Sequence, residues 1–120
     1  MDSASMLTPS QEDYLEAIAN IIAEKKVART KEISSRLKVR ASSVSGALSV
    51  LADLKLIHYR PYEVITLTQK GEEIAAIITS RHALLKDFFV DILKANPAEA
   101  EEAACGMEHS ISADITVRLA

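Results

Sequence analysis

The core of this chain has to be built almost without large aromatic side chains. Its 120 residues include three tyrosines, two phenylalanines and no tryptophan, yet 48% are hydrophobic, so Ala, Val, Ile and Leu must fill the interior. Such side chains pack helices closely, and only three Gly and three Pro interrupt them. A mostly helical fold is expected. With 26% charged residues the composition is globular and too apolar for a disordered tail. A chain of this length makes one ordinary domain, or two small helical units sharing a core, and not a large multidomain enzyme.

No stretch reaches the roughly 20 consecutive apolar residues of a membrane span, and residues 1–9 carry neither a basic start nor an apolar signal segment. A cytoplasmic location is expected, with no membrane partner. The single cysteine, Cys105, has no internal disulfide partner, which leaves a buried thiol, a reactive thiol or a metal ligand.

Charge is divided along the chain. Between Lys25 and Arg60 nine basic residues face two acids, Glu32 and Asp53, whereas from Gly71 to Ala120 four basic residues face nine acids. The overall net charge of −3 therefore conceals a basic segment suited to a polyanion and an acidic one suited to cations or to a second subunit.

Thr8-Pro9-Ser10-Gln11 reads as a capping box with proline at the first helical position. It predicts a helix to about Lys25, with Tyr14, Ile18, Ile21 and Ile22 buried and with Asp13 and Glu16 together on another side. Two short helices follow, from Thr30 and from Ala41 or Ser42, separated by Lys38-Val39-Arg40. Their spacing matches a helix-turn-helix, whose second helix enters the major groove of DNA. Its outward face would carry Ser42, Ser43 and Ser45 to the bases, with Arg36, Lys38, Arg40 and Arg60 on phosphates. The plain alternative is a solvated basic face, opposed by very few acids.

Leu56–Arg60 and Val64–Thr68, separated by Pro61-Tyr62-Glu63, predict a hairpin, and a hairpin directly after a helix-turn-helix is a wing. Thr68 then caps a long helix to about Lys94 with an apolar stripe of Ile74, Ile78, Leu85, Phe89 and Ile92. Asn96-Pro97-Ala98-Glu99 begins another through roughly His109, and Ser112 begins a last one. With neither repeat nor linker, the two parts are expected to form one compact unit.

The densest polar cluster is Cys105-Gly106-Met107-Glu108-His109. Residues three and four apart share a helix face, so the thiol, carboxylate and imidazole of Cys105, Glu108 and His109 converge on a partly buried spot. Soft sulfur beside nitrogen and oxygen suits late first-row divalent ions. Taken alone the cluster reads as a core cysteine beside two solvated groups, His82 as a satisfied core histidine, and Asp13 with Glu16 as a surface pair. Counted together they supply six donors from three helices, a full set of ligands for one ion. Nucleophilic catalysis by Cys105 with His109 or His82 lacks an oxyanion-hole signature, a phosphate loop and room for a substrate cleft, so no enzyme is expected.

Thr8-Pro9-Ser10-Gln11-Glu12-Asp13-Tyr14-Leu15-Glu16, Ala41-Ser42-Ser43-Val44-Ser45, Pro61-Tyr62, Leu67-Thr68-Gln69-Lys70-Gly71, Arg81-His82 and Glu102-Ala103-Ala104-Cys105-Gly106-Met107-Glu108-His109 occur in this order. In this series the chain resembles the iron-dependent repressor family, of the diphtheria toxin repressor and manganese transport regulator type, over nearly its whole length. The resemblance implies a mainly α fold: a winged helix-turn-helix DNA-binding domain over 1–70, then a helical dimerisation and metal-binding domain over 71–120. It implies a homodimer that binds double-stranded operator DNA, an inverted repeat, when Fe(II) or Mn(II) is present, and that represses metal-uptake genes. The family's ligands fall at Asp13, Glu16, His82, Cys105, Glu108 and His109. Members that prefer manganese share Asp13 and Glu16 but carry a carboxylate where Cys105 stands, and iron-type members share the cysteine but carry methionine where Asp13 stands. The thiolate favours Fe(II), with Mn(II) the second choice. Lys86 stands where members commonly have a glutamate ligand of a second metal position. The alternative from another class is a winged-helix regulator or protein-docking module that does not sense metal.

Overall fold

The computed structural model describes residues 7–60, 62–111, 115 and 118, and these are mainly helical. Their packing falls into two compact units, Leu7–Ala75 and the residues from Ala76 onward, where the lack of a linker suggested one. The first holds helices α1 (Pro9–Lys25), α2 (Thr30–Leu37) and α3 (Ala41–Asp53) and strands β1 (Ile57–His58) and β2 (Thr66–Leu67). Helix α4 (Gln69–Asp87) starts in this unit and ends in the second, which continues through a π-helical turn (Phe88–Ile92), α5 (Pro97–Met107) and a 3₁₀ turn (Glu108–Ser110).

Helix α1 starts at the expected capping box. Gln11 N–H donates to Thr8 Oγ1 at 3.1 Å while Thr8 N–H donates to the Gln11 side chain at 3.0 Å, an arrangement worth about 1 kcal/mol. Tyr14, Ile18 and Ile21 are buried as the spacing requires, joined by Leu15 and Ala17, whereas Ile22, expected in the same stripe, is only partly buried. Helices α1, α2 and α3 pack on one another around Ile33, Val44, Leu48 and Leu51, all fully buried. Lys38, in the left-handed conformation with φ 56°, ends α2 and turns the chain into α3.

The hairpin is present but shorter than the β-rich stretches suggested. β1 and β2 pair antiparallel in the register Ile57 with Leu67 and His58 with Thr66. Ile65, whose backbone groups face the other edge of the returning strand, bridges Ala28 in the loop after α1. Tyr62, fully exposed at the tip, has φ 67°.

Thr68 caps α4 as expected: its hydroxyl accepts from Gly71 N–H at 3.0 Å and donates to the Lys55 carbonyl at 2.7 Å. Ile74, Ile78 and Leu85 are buried, but Ile92 is exposed, since the π-helical turn changes the periodicity on which the stripe was counted. Asn96 caps α5 through a 2.8 Å bond from Ala98 N–H to Oδ1. Ala100 and Ala104 are buried within the chain itself, whereas Ile92, Leu93, Met107 and Ile115 remain exposed. The helix expected from Ser112 lies largely outside the described residues, as does Pro61 of the hairpin.

Candidate metal centre and nucleic-acid interface

The second unit gathers its polar groups where α4 meets α5 and the 3₁₀ turn. Helix α4 contributes Arg81, His82 and Lys86, α5 contributes Glu101 and Cys105, and the turn contributes Glu108 and His109. His82 Nδ1 lies 3.0 Å from Glu108 Oε2 and 3.7 Å from Cys105 Sγ. One ligand atom from each of His82, Cys105 and Glu108 lies within 4.8 Å of the others. Glu108 is 1% exposed, and His109 Nε2 approaches its other oxygen at 3.4 Å. The helix spacing therefore brings Cys105, Glu108 and His109 to one end of α5, although α5 stops at Met107 and the last two sit on the tighter turn. Cys105 is exposed rather than half-buried.

The donor set fits a divalent transition ion. It offers imidazole nitrogen, thiolate sulfur and carboxylate oxygen from side chains already converged, and neutralising a buried carboxylate offsets the cost of its desolvation. Asp13, exposed, and Glu16, half-exposed, lie three residues apart on α1, in the first unit.

Two residues of the centre were given no site role from the sequence. Buried Arg81 donates from Nη1 to the carbonyls of Glu108 (3.2 Å) and Ile111 (3.4 Å), which fixes the turn that carries the ligands. Glu101 accepts from His82 Nε2 at 2.8 Å and pairs with Lys86 Nζ at 3.1 Å. Burial pulls the Glu101 carboxyl upward, but the Lys86 hydrogen bond and the His82 contacts outweigh it and hold it below the usual carboxylate range. The spacing of Glu101, Cys105 and Glu108 on one helical side carried a signal for Glu101. The bond from Arg81 spans 27 residues and had none.

In the first unit α3 presents Ser42, Ser43 and Ser45 to solvent, flanked by exposed Lys38 and Arg40. A Cβ placed on Gly46 would meet nothing within 4 Å, so this face is open. Arg60 is exposed on the hairpin. Arg36 is held by Glu24 at 2.8 Å, and Lys25 by Glu32 at 2.6 Å, so part of the basic block is neutralised locally. An open groove beside Ser45 is lined by Arg29, Thr30, Tyr59, Tyr62 and Glu63, which adds Arg29 and two tyrosines to the basic face.

The sequence pattern of the iron dependent repressor N-terminal DNA binding domain matches residues 6–65, and that of the family's metal binding and dimerisation domain matches residues 68–120. The chain belongs to the iron-dependent repressor family. It is thereby a metal-dependent DNA-binding transcriptional regulator, not an enzyme, and operator DNA and a second copy of itself are its partners. It is 38% identical over 114 residues to an uncharacterised helix-turn-helix regulator of Methanocaldococcus jannaschii, covering 94% of this chain and 91% of that protein. It is also 38% identical to the regulator MntR of Shouchella clausii, covering 95% of this chain and 79% of that protein. Among solved structures it superposes on a manganese-dependent transcriptional repressor in complex with manganese, with TM-score 0.82 and 29% identity over 91% of this chain and 50% of that one. IdeR of T. acidophilum gives TM-score 0.80 and 25% identity over 90% of this chain and 51% of that one. The chain spans about half the length of these solved structures. None of its described helices is long and apolar enough to cross a membrane.

Proposed function

We propose that this repressor is a cytoplasmic sensor of Fe(II), with Mn(II) as second ion, that shuts off metal-uptake genes. The observation that carries the reading is the convergence of His82, Cys105 and Glu108 within 4.8 Å. The ligand set is Asp13 and Glu16 from the DNA-binding part (1–70) with His82, Cys105, Glu108 and His109 from the metal-binding and dimerising part (71–120). The Cys105 sulfur favours iron over manganese, the ion for which the solved repressor is named. When bound, the ion would supply the positive charge that offsets the carboxylates of this set. Glu108 and His82 would present their donors to the ion, and Arg81 holds the turn beneath them.

Ser42, Ser43 and Ser45 of α3 meet base edges, while Lys38, Arg40 and Arg60, with Arg36 once released from Glu24, meet phosphates. Exposed Ile92, Leu93, Met107 and Ile115 supply the apolar face on which two copies pair isologously. Two reading heads related by a two-fold axis require an inverted-repeat operator with half-sites about 34 Å apart or a multiple of that.

Anaerobic titration of the chain with Fe(II) or Mn(II) tests the sensing claim: saturation at a whole number of ions per chain is expected, and a winged-helix regulator indifferent to metal would take up none. For the DNA face, Arg40→Ala and Arg60→Ala are each expected to weaken binding to every sequence and to reduce the salt slope by about one unit. An unchanged slope in both would remove them from the interface.

A further inference from the structure

The imidazole of His82 is held from both sides, and only one side faces the proposed ligands. Nδ1 is directed at Glu108 (3.0 Å) and Cys105 (3.7 Å), while Nε2 is directed at Glu101 (2.8 Å). Glu101 is itself half-exposed, and a solvated glutamate samples several rotamers unless something fixes it. Lys86, one helical turn beyond His82 on α4, does so by binding the second Glu101 oxygen at 3.1 Å. The chain Lys86, Glu101, His82 is thus charge-assisted at each link, and it ends on the nitrogen that points into the ligand cluster.

We propose that Glu101, anchored by Lys86, is a positioning residue that keeps the proton on His82 Nε2 and so commits Nδ1 to the metal, an inference that rests on the metal-sensing reading above. An imidazole has two nitrogens of similar basicity, and the hydrogen bond made by one decides which of them is available as a ligand. With Nε2–H held by Glu101, the ring keeps the orientation that presents Nδ1 to the ligand cluster. Carboxylates acting through a ligating histidine in this way typically contribute 10- to 100-fold in metal affinity. Glu101 acts on binding without being counted among the ligands.

Zn(II), which is diamagnetic, provides the probe on the full chain. Its affinity is measured by competition with a chromophoric chelator, and ¹⁵N shifts of the labelled His82 ring report which nitrogen is ligated. The wild type is expected to show ligated Nδ1 and protonated Nε2. Glu101→Ala is expected to bind about 10- to 100-fold more weakly and to lose the single ligation mode. Glu101→Gln, whose amide oxygen still accepts the N–H, recovers the Nδ1 mode and most of the affinity, which a merely structural role for Glu101 would not require. The proposal is overturned if Glu101→Ala keeps both the Nδ1 mode and an affinity within about threefold of wild type, or if Glu101→Gln is as defective as Glu101→Ala. A wild type that takes up no Zn(II) overturns the metal-sensing reading and this inference with it.

Discussion

Glu108→Gln is expected to lower the affinity for Mn(II) or Fe(II) by at least about a hundredfold, more than the typical loss of a residue that acts through a ligand. The substitution conserves shape but removes the negative charge at the most deeply buried polar position of the centre, where Glu108 meets both His82 and His109. Because the amide still fits the space, the metal-free protein should melt within a few degrees of wild type. The same titration described for the unmodified chain measures the effect. Wild-type affinity in this variant would place the ion elsewhere.

Gly71→Ala should cost about 3 kcal/mol and lower Tm by roughly 10 °C or more, read by thermal melting. A Cβ on Gly71 would collide with the Leu56 carbonyl oxygen and come within 2.9 Å of its carbon. That carbonyl is fixed by the bond it accepts from Thr68 N–H, so there is little to give. Gly71 is needed for close approach of the first turn of α4 to the chain before β1, and not for a special φ, since no glycine has positive φ. Gly46→Ala is the control: the added methyl meets open space, and alanine in a helix is worth about 0.5 to 1 kcal/mol over glycine. Equal effects at the two positions would refute the contact with Leu56.

The elements that announce themselves locally were legible. Thr8 with Gln11, Thr68 before α4 and Asn96 before Pro97 each combine a cap with its partner inside four residues, and all three helices begin there. Most of the buried face of α1 followed from spacing alone. What escaped depends on tertiary register. The wing's returning strand also bridges Ala28 through Ile65, 37 residues away, and the stripe of α4 drifts because a π-helical turn interrupts it. Arg36 is drawn to Glu24 on another helix, which a charge count along the chain does not see.

The candidate centre shows the same division. Cys105, Glu108 and His109 were readable because they are neighbours on one short segment. Glu101 was not singled out, because its meaning comes from Lys86 and His82 on α4, a helix that spacing within α5 does not describe. Arg81 reads as one more surface cation until it is found buried beneath the turn that ends α5.

Metal-dependent operator binding is the central claim, and it is tested most directly by fluorescence anisotropy with labelled promoter DNA of a metal-uptake gene, titrated with the protein under full chelation and again with saturating Fe(II) or Mn(II). A tightening of 5- to 150-fold on adding metal is expected, the range of an ordinary coupling free energy between two sites. Equal affinity with and without the ion would contradict the account.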